Sequence, residues 1–237
     1  GNAVADIANL LLNKLFGETR QLKGLPSKTS KVTTFSTSSY APSSLNAIIC
    51  RTNATAFEYF FKFHGYLNGE KKIRLEVDGK RSKDIFSGIF QLRANKRPTC
   101  KELQNFSSYQ ELVDHIQVFG EVEGATTELK TFLDLTNQYS WQVIEWALEN
   151  SMADDETDPK NTLVISTSHK SKGLEWDNVL IAKGFNYKIL DKKLMISADE
   201  KRLLYVTVTR AKNILFTDGI NDLLEHLNSK NTEISNA

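Results

Sequence analysis

Short, continuous apolar runs followed at once by helical patterns are the feature that most restricts the fold of this chain. Residues 47–50, Ala-Ile-Ile-Cys, form an unbroken apolar run of the kind found in strands buried on both faces of a sheet. The run leads through Thr52 into a segment where Phe57, Phe60 and Phe61 indicate a helix. A strand followed directly by a helix is typical of α/β folds with parallel strands. We therefore predict a mainly parallel sheet flanked by helices.

The same alternation returns toward the carboxyl terminus. Apolar runs predict strands at residues 162–167, 178–182 and 213–217, and a helical pattern predicts a helix at residues 198–211. Ser197 and Glu200 fit a capping box, in which the hydroxyl accepts from the amide three residues on and the carboxylate reaches back. The start of that helix is therefore well specified.

The amino-terminal region adds one helix and a long loop. Apolar residues recur at three- and four-residue spacing over residues 1–16, which indicates a helix with one buried face. Residues 26–44 are rich in Ser and Thr and contain two prolines, so we predict a loop with one short strand at 31–35.

The middle of the chain has a different, mainly helical pattern. We predict helices at residues 125–138 and 141–152, and one hairpin at 72–77 that turns on Asp78-Gly79. Thr99 and Glu102 fit a second capping box, which predicts the start of another helix.

An acidic run closes this helical region. It contains Asp154, Asp155, Glu156 and Asp158 beside Pro159, and predicts a solvated linker. We therefore expect an α/β domain made of residues 1–61 and 160–237, interrupted by a small helical insertion of residues 62–159.

Composition narrows the class of protein. Hydrophobic residues make up 40% and charged residues 25%, as in soluble globular domains. No apolar run reaches the roughly 18 residues of a membrane span, and residues 1–16 carry no cleavage-site pattern. We therefore expect no membrane partner and a cytoplasmic location, nuclear in a eukaryote. Cys50 and Cys100 are isolated, which predicts reduced thiols and no metal site. Because the formal net charge is +1, any basic DNA track must be local.

Polar, basic and glycine residues crowd the segment that follows the predicted strand 162–167. Ligands of open α/β sheets bind beyond the carboxyl ends of strands, so a site is physically sensible there. Thr167 and His169 offer neutral donors, and Lys170 and Lys172 offer charge. Gly173 permits close backbone approach, and Glu175 can accept from a sugar hydroxyl. From chemistry alone, a ligand site and a solvated loop both stay open.

Arg210 lies where the last predicted helix gives way to a strand. A guanidinium at such a boundary can bind a phosphate with two parallel hydrogen bonds. The alternative is an ordinary surface charge at a helix end, and the residue taken by itself favours that alternative.

Three segments in order give these residues a more specific meaning. The chain contains HKSKGLEW at residues 169–176, EKRLLYVTVTRAK at 200–212 and AIICRTNA at 47–54. The first two resemble motifs V and VI of the UvrD/Rep/PcrA family of superfamily 1 DNA helicases, and the third resembles that family's strand-to-helix motif. Residues 1–9 resemble the helix that follows motif IV. The length of the insertion and the HK-x-KGLE sequence of motif V are similar to those of the F-box DNA helicase subgroup.

The resemblance implies a RecA-like fold and an ATP site that is shared between two such domains. This chain would be the second domain, and the first would come from the amino-terminal part of the same parent protein. Arg210 matches the motif VI arginine that faces the γ-phosphate, the arginine-finger role. Glu175 matches the glutamate that contacts the ribose, and Gly173 matches the tight turn beside it. Their alternatives are a surface carboxylate and a plain turn glycine.

The resemblance also implies a single-stranded DNA track. Thr167, His169 and Lys172 match motif V positions near DNA, and Arg51 and Asn53 match the earlier motif that also meets DNA. Phosphate contacts of this kind give affinity without reading sequence. A surface charge and a helix cap stay open as alternatives for Arg51 and Asn53.

Aromatic residues in these segments allow a further role. Base stacking is an option for Trp176, Tyr205, Phe57, Phe60 and Phe61. We assign these side chains to the hydrophobic core instead.

No GxxxxGK[ST] phosphate loop occurs in the sequence, and no paired acidic motif follows a strand. We therefore expect ATP with Mg²⁺ as the cofactor, the Mg²⁺ ligands on the amino-terminal half, and no ATP hydrolysis by this chain alone. The family implies translocation from 3′ to 5′. Two other functions stay open: a non-motor helicase-like module that binds DNA or protein, and an unrelated kinase-like nucleotide-binding domain. Arg210 and Glu175 favour the motor, since a module freed from ATP would not need them.

Overall fold

A computed structural model describes residues 1–119, 125–150, 158, 161–229 and 233–235. Within them the helices are α1 (Asn2–Phe16), α2 (Asn53–Leu67), α3 (Gly79–Arg93), α4 (Tyr109–Phe119), α5 (Ala125–Gln138), α6 (Trp141–Asn150), α7 (Ala198–Val208) and α8 (Asn221–Asn228). The strands are β1 (Lys31–Thr33), β2 (Ala47–Cys50), β3 (Lys72–Glu76), β4 (Thr162–Thr167), β5 (Trp176–Ile181), β6 (Tyr187–Leu190), β7 (Lys193–Ile196), β8 (Ala211–Phe216) and β9 (Glu233–Ser235). A 3₁₀ turn covers Pro42–Ser44.

Six of these strands form one parallel sheet in the order β1-β8-β5-β2-β4-β3. The prediction of an α/β fold with a mainly parallel, RecA-like sheet is confirmed. Every residue of β2 is buried, as its unbroken apolar run predicted. Ile48 and Cys50 pack into one hydrophobic cluster, whereas Ala47 and Ile49 pack into the other. Successive side chains of a strand point to opposite faces, so a central strand covered on both sides must be apolar throughout.

Helices cover both faces of this sheet. The first cluster joins the sheet to α2, α3, α4, α5 and α6, and contains the buried Phe57, Phe86 and Phe132. Their rings meet edge-on, with centroids 5.3 Å apart for Phe57 and Phe86 and 4.7 Å for Phe86 and Phe132. The second cluster joins the other face to α1, α7 and α8. The helical middle of the chain therefore shares its core with α2 and the sheet.

The predicted hairpin at residues 72–77 is wrong. β3 pairs in parallel with β4, with Lys72 opposite Thr162, and lies in the six-stranded sheet. Asp78 does not turn a hairpin but caps α3, because its side chain accepts from the amide of Arg81 at 3.0 Å. An Asp-Gly pair fits a hairpin turn and a helix start equally well, and the choice depends on which strand is available as a partner.

The helix predicted at Thr99 is also wrong. Residues 101–105 form turns, and the next helix, α4, begins at Tyr109. Glu102 does not reach back to Thr99 but pairs with Arg81 across 3.1 Å. Ser108 caps α4 instead, accepting from the amide of Glu111 at 3.1 Å.

The capping box at the start of α7 is half right. The Ser197 hydroxyl accepts from the Glu200 amide at 3.3 Å, as predicted. The Glu200 carboxylate does not return to Ser197, however, because it pairs with Arg51, the residue that follows β2. The helix ends at Val208, three residues earlier than predicted.

A small second sheet was not predicted. β6 and β7 form an antiparallel hairpin, and β9 pairs in parallel with β7. The turn places Asp191 and Lys192 at φ 48° and 66° without a glycine, so the usual sequence signal was absent. The predicted acidic linker lies outside the described residues except for Asp158, which accepts from Asn161 at 2.7 Å.

The remaining predicted elements agree with the structure. The first helix and the strands near residues 31, 47, 162, 176 and 211 lie within a few residues of their predicted bounds. Cys50 and Cys100 are free and buried. No helix among the described residues is both long and apolar enough to cross a bilayer.

Candidate functional site

A polar cleft of about 280 Å³ lies at the carboxyl ends of β2, β4 and β3. Four of the five predicted DNA contacts line it together: Arg51, Asn53, Thr167 and His169. They meet because Cys50 pairs with Thr167 at the ends of adjacent parallel strands. The fifth, Lys172, is exposed in the following segment and does not line this cleft.

Arg51 lines the cleft, and its side chain is held in place by Glu200. Its Nε donates to both carboxylate oxygens of Glu200, at 2.8 and 3.1 Å. Its side chain is 28% exposed, against 2% for Glu200. The predicted alternative of a plain surface charge therefore does not describe this arginine.

Asn53 begins α2 and holds the cleft's opposite wall. The Asn53 side-chain oxygen accepts from the backbone amide of Asp78 at 3.0 Å. The backbone amide of Asn53 donates to the Glu128 carboxylate at 3.2 Å. The cap of α2 is Thr52, whose hydroxyl oxygen accepts from the Thr55 amide at 3.1 Å. The alternative that Asn53 caps the helix is therefore wrong, because the preceding residue, Thr52, is the cap.

Basic side chains surround the cleft near His169. The pKa of His169 is lowered by partial burial and then by the positive charges of Arg51 and Lys172. Lys170 donates to the Val77 carbonyl at 2.8 Å, which ties the segment after β4 to the end of β3. The positive charges of Arg51 and Lys172 that lower this pKa also favour binding of an anion beside His169.

Residues 168–175 connect the cleft with the opposite edge of the sheet. They leave the carboxyl end of β4 and enter the amino end of β5, where Trp176 pairs with Ala211. The far end of β5, Ile181, lies opposite Ile49 beside the cleft. At roughly 3.3 Å per residue, the two ends of this segment are about 16 Å apart along the strands.

Arg210 lies at that opposite edge, directly before β8. Its Nε donates to the Val206 carbonyl at 2.8 Å, and one terminal nitrogen donates to the Leu174 carbonyl at 2.9 Å. The other terminal nitrogen donates to the Thr209 hydroxyl at 2.9 Å. Among the described residues no carboxylate lies within ion-pair distance of Arg210. The guanidinium is therefore held by neutral oxygens and keeps an uncompensated charge.

Gly173 and Glu175 flank the carbonyl that holds Arg210. Gly173 has φ 82°, which only glycine adopts without strain, and no atom lies within 4 Å of an added Cβ there. Glu175 is exposed beside it. The structure thus brings Gly173, Glu175 and Arg210 together, away from the cleft.

A buried hydroxyl chain joins α7 to the same segment. Thr207 donates to Ser168 at 2.9 Å, and Ser168 donates to the Cys50 carbonyl at 3.2 Å. Ser171 donates to the Ser168 carbonyl at 2.9 Å. All three hydroxyl-bearing residues are fully buried. The segment between the two groups of candidate residues is therefore fixed internally.

Sequence reasoning missed several residues of this region. Glu200, Arg81 and Glu128 all contact or line the cleft. Arg81 pairs with Glu128 across 2.9 Å although the two are far apart in the chain. The positions of Arg81 and Glu128 carry no local signal. Glu200 lies at helical spacing from the apolar Leu203 and Leu204, and a charge on that face was a signal that could have been used.

The aromatic residues behave as predicted. Phe57 and Phe60 are fully buried, and Phe61, Trp176 and Tyr205 pack against the core from half-buried positions.

The described residues contain no group of three or more His, Cys, Asp or Glu side chains able to hold a metal ion.

Comparison with known proteins identifies the family. Residues 32–220 match the model of the UvrD-like helicase C-terminal domain. The chain is 29% identical over 243 residues to F-box DNA helicase protein 1 of Schizosaccharomyces pombe, which covers 96% of this chain and 27% of that protein. It is 28% identical over 207 residues to F-box DNA helicase 1 of Gallus gallus, which covers 76% of this chain and 19% of that protein. The chain thus spans about a quarter or less of these relatives. Because the family model covers most of the chain, this protein belongs to the UvrD-like helicase C-terminal domain family.

Proposed function

We propose that this chain is the second RecA-like domain of an ATP-dependent DNA helicase, contacting ATP at one edge of its sheet and single-stranded DNA at the other. One observation carries the proposal. Residues 167–176 form a single segment whose first residues line the polar cleft and whose last carbonyls hold Arg210. A motor needs its nucleotide and its DNA contacts to be mechanically joined, and this segment joins them.

Arg210 is the proposed arginine finger. The Val206, Leu174 and Thr209 oxygens fix its guanidinium before any ligand arrives. Because no carboxylate neutralises it among the described residues, its charge is available for a γ-phosphate. A preorganised cation of this kind stabilises the charge that develops during phosphoryl transfer.

Gly173 and Glu175 form the proposed ribose contact. Glu175 is exposed beside the Leu174 carbonyl, so its carboxylate is free to accept from a sugar hydroxyl. The phosphate loop and the Mg²⁺ ligands belong, in this proposal, to the first RecA-like domain. Bound Mg²⁺ would supply positive charge to the phosphates there.

The cleft at the carboxyl ends of β2, β4 and β3 is the proposed DNA contact. Arg51 and His169 face it, and Lys172 extends the basic surface along the following segment. Phosphate contacts by such residues bind DNA without sequence preference. We propose that the helical insertion begins after β3, near residue 77, rather than at 62, because β3 lies in the main sheet.

The test is ATP hydrolysis by the full-length protein that carries this chain, with and without single-stranded DNA. We expect Arg210→Ala to lower DNA-stimulated turnover by about 10³-fold or more. Arg202→Ala is the matched control, because Arg202 lies on α7, which ends two residues before Arg210, and its side chain is 69% exposed. Among the described residues its ion-pair partner is Asp199. Thermal unfolding of both variants checks that each is folded.

The alternative of a non-motor module makes the opposite prediction. If Arg210→Ala hydrolyses ATP as fast as wild type, the arginine-finger assignment fails. The chain alone should not hydrolyse ATP, since its sequence has no phosphate loop. Unwinding of duplexes with a 3′ or a 5′ single-stranded tail tests the proposed 3′ to 5′ direction.

A further inference from the structure

Glu200 is a buried carboxylate in the first turn of α7, with a residue exposure of 1%. Its oxygens accept from Arg51 Nε at 2.8 and 3.1 Å and from the Asn186 amide at 2.8 Å. Within the described part of the chain, Arg51 is its ion-pair partner. A buried carboxylate is stable only when paired and hydrogen-bonded, so this contact fixes both side chains.

The pairing decides which part of Arg51 faces the cleft. Glu200 engages Nε, and the terminal nitrogens of Arg51 form no hydrogen bond with any described residue. These two nitrogens are the donors that match the oxygens of a phosphate. A guanidinium held at Nε loses less rotamer freedom when a phosphate binds, and therefore binds more tightly.

Helix α7 connects this contact with Arg210. Glu200 lies at its start and Arg210 two residues past its end. The helix has 11 residues, or about 16 Å at 1.5 Å per residue. Between its ends, the Thr207 hydroxyl holds it to Ser168. A shift of Arg51 would therefore act on α7, which ends two residues before Arg210.

We propose that Glu200 is a positioning residue, which presents Arg51 to a DNA phosphate and links that contact through α7 to the placement of Arg210. The link to Arg210 rests on the function proposed above. The positioning of Arg51 is testable without it, by DNA binding alone.

The first experiment measures binding of fluorescent oligo-dT to the full-length protein, by anisotropy, over a range of salt concentrations. Glu200→Gln removes the charge and keeps the side-chain shape. Asp199→Asn is the matched control, since it removes one negative charge from the same helical turn, where Asp199 is exposed and pairs with Arg202. Loss of a negative charge near DNA by itself tightens binding, and the control measures that gain.

We expect Glu200→Gln to bind roughly 10-fold more weakly than wild type, as when a charged hydrogen bond is lost. The slope of log K against log salt should fall in magnitude by about 0.7, as for one phosphate contact to a single strand. Binding as tight as that of Asp199→Asn would show that Glu200 competes with DNA, and would overturn the proposal. Weaker binding with an unchanged slope would reveal a merely structural role and would also overturn it.

Arg51→Lys is the second variant, in case Glu200→Gln does not fold. It leaves Glu200 paired, but the lysine ammonium is a single point charge. Once Glu200 holds it, lysine has no separate planar pair of terminal nitrogens to present to a phosphate. We expect the same loss of slope. In the double variant the two effects should not add, because both remove one contact. Additive losses would contradict the positioning of Arg51 by Glu200.

DNA-stimulated ATP hydrolysis tests the link to Arg210. At saturating oligo-dT we expect Glu200→Gln to have a lower maximal rate than Asp199→Asn. An equal maximal rate would overturn the link through α7 and leave the positioning role intact. If the wild-type protein hydrolyses no ATP, the motor function fails, and the binding experiment still decides the role of Glu200.

Discussion

Two glycines should respond in opposite ways to the same substitution. Gly219 follows β8 and donates its amide to the Ile181 carbonyl at the end of β5, at 3.0 Å. A Cβ at Gly219 would lie 2.0 Å from the Ala182 carbonyl oxygen and 2.4 Å from its carbon. Both are backbone atoms, which no rotamer change can move aside. Gly219→Ala must therefore separate the turn after β8 from β5.

The size of the effect follows from the required movement. Ordinary contact begins near 3.4 Å, so the two backbones must part by more than 1 Å at this point. Forcing an extra carbon into a packed site costs about 1–3 kcal/mol. Breaking the Gly219 amide bond to Ile181 adds about 1 kcal/mol. We expect Gly219→Ala to lower the free energy of unfolding by about 3 kcal/mol.

Gly65 is the matched control. It lies in the last turns of α2, and an added Cβ would meet no atom within 4 Å. Alanine there gains helix propensity, so Gly65→Ala should raise the free energy of unfolding by about 0.5–1 kcal/mol.

Urea unfolding of this chain, followed by circular dichroism and extrapolated linearly, measures both changes. A Gly219→Ala variant within about 0.5 kcal/mol of wild type, the range of an ordinary surface change, would refute this reasoning. So would a loss of stability in Gly65→Ala as large as that in Gly219→Ala.

Two further predictions concern the segment between the candidate sites. Partial burial and the charges of Arg51 and Lys172 lower the pKa of His169. A bound DNA phosphate should raise that pKa, so oligo-dT binding should tighten as the pH falls. An NMR titration in which DNA leaves the His169 pKa unchanged would exclude a phosphate beside it. Thr207→Val keeps the shape but removes the buried hydroxyl that bonds to Ser168 and to the Leu203 carbonyl of its own helix. It should lower the free energy of unfolding by about 1 kcal/mol. The matched control is Thr131→Val, since the exposed Thr131 hydroxyl bonds, among the described residues, to the Thr127 carbonyl of its own helix. It should change the free energy of unfolding by less than about 0.5 kcal/mol in the same urea assay.

Local patterns were enough for most of the main sheet. β2, β4, β5 and β8 are short apolar runs because both faces of their sheet are covered by helices, and this requirement acts on each strand separately. The same holds for α1, whose buried Val4, Ala8, Leu11 and Leu15 recur at helical spacing. The motif segments likewise pointed to the residues that now line the cleft and hold Arg210.

The predicted hairpin and the helix predicted at Thr99 failed because each local sequence pattern is compatible with two structures. Asp78-Gly79 suits a hairpin turn or a helix start. Because β3 pairs in parallel with β4, no hairpin forms, and Asp78 begins α3 instead. Thr99 and Glu102 had the right spacing for a capping box, but Arg81 offered the carboxylate a stronger, charged partner. Such outcomes depend on which groups arrive from distant parts of the chain.

The sequence by itself determined the fold class, the family and the residue types at both candidate sites, because burial and backbone chemistry act locally along strands and helices. Only the tertiary structure decided that the two sites lie at opposite edges of one sheet. It alone showed that Glu200 belongs to Arg51, 149 positions away, rather than to its own helix cap. This ion pair forms only when the end of β2 and the start of α7 have been packed together, and no spacing along the chain encodes that packing.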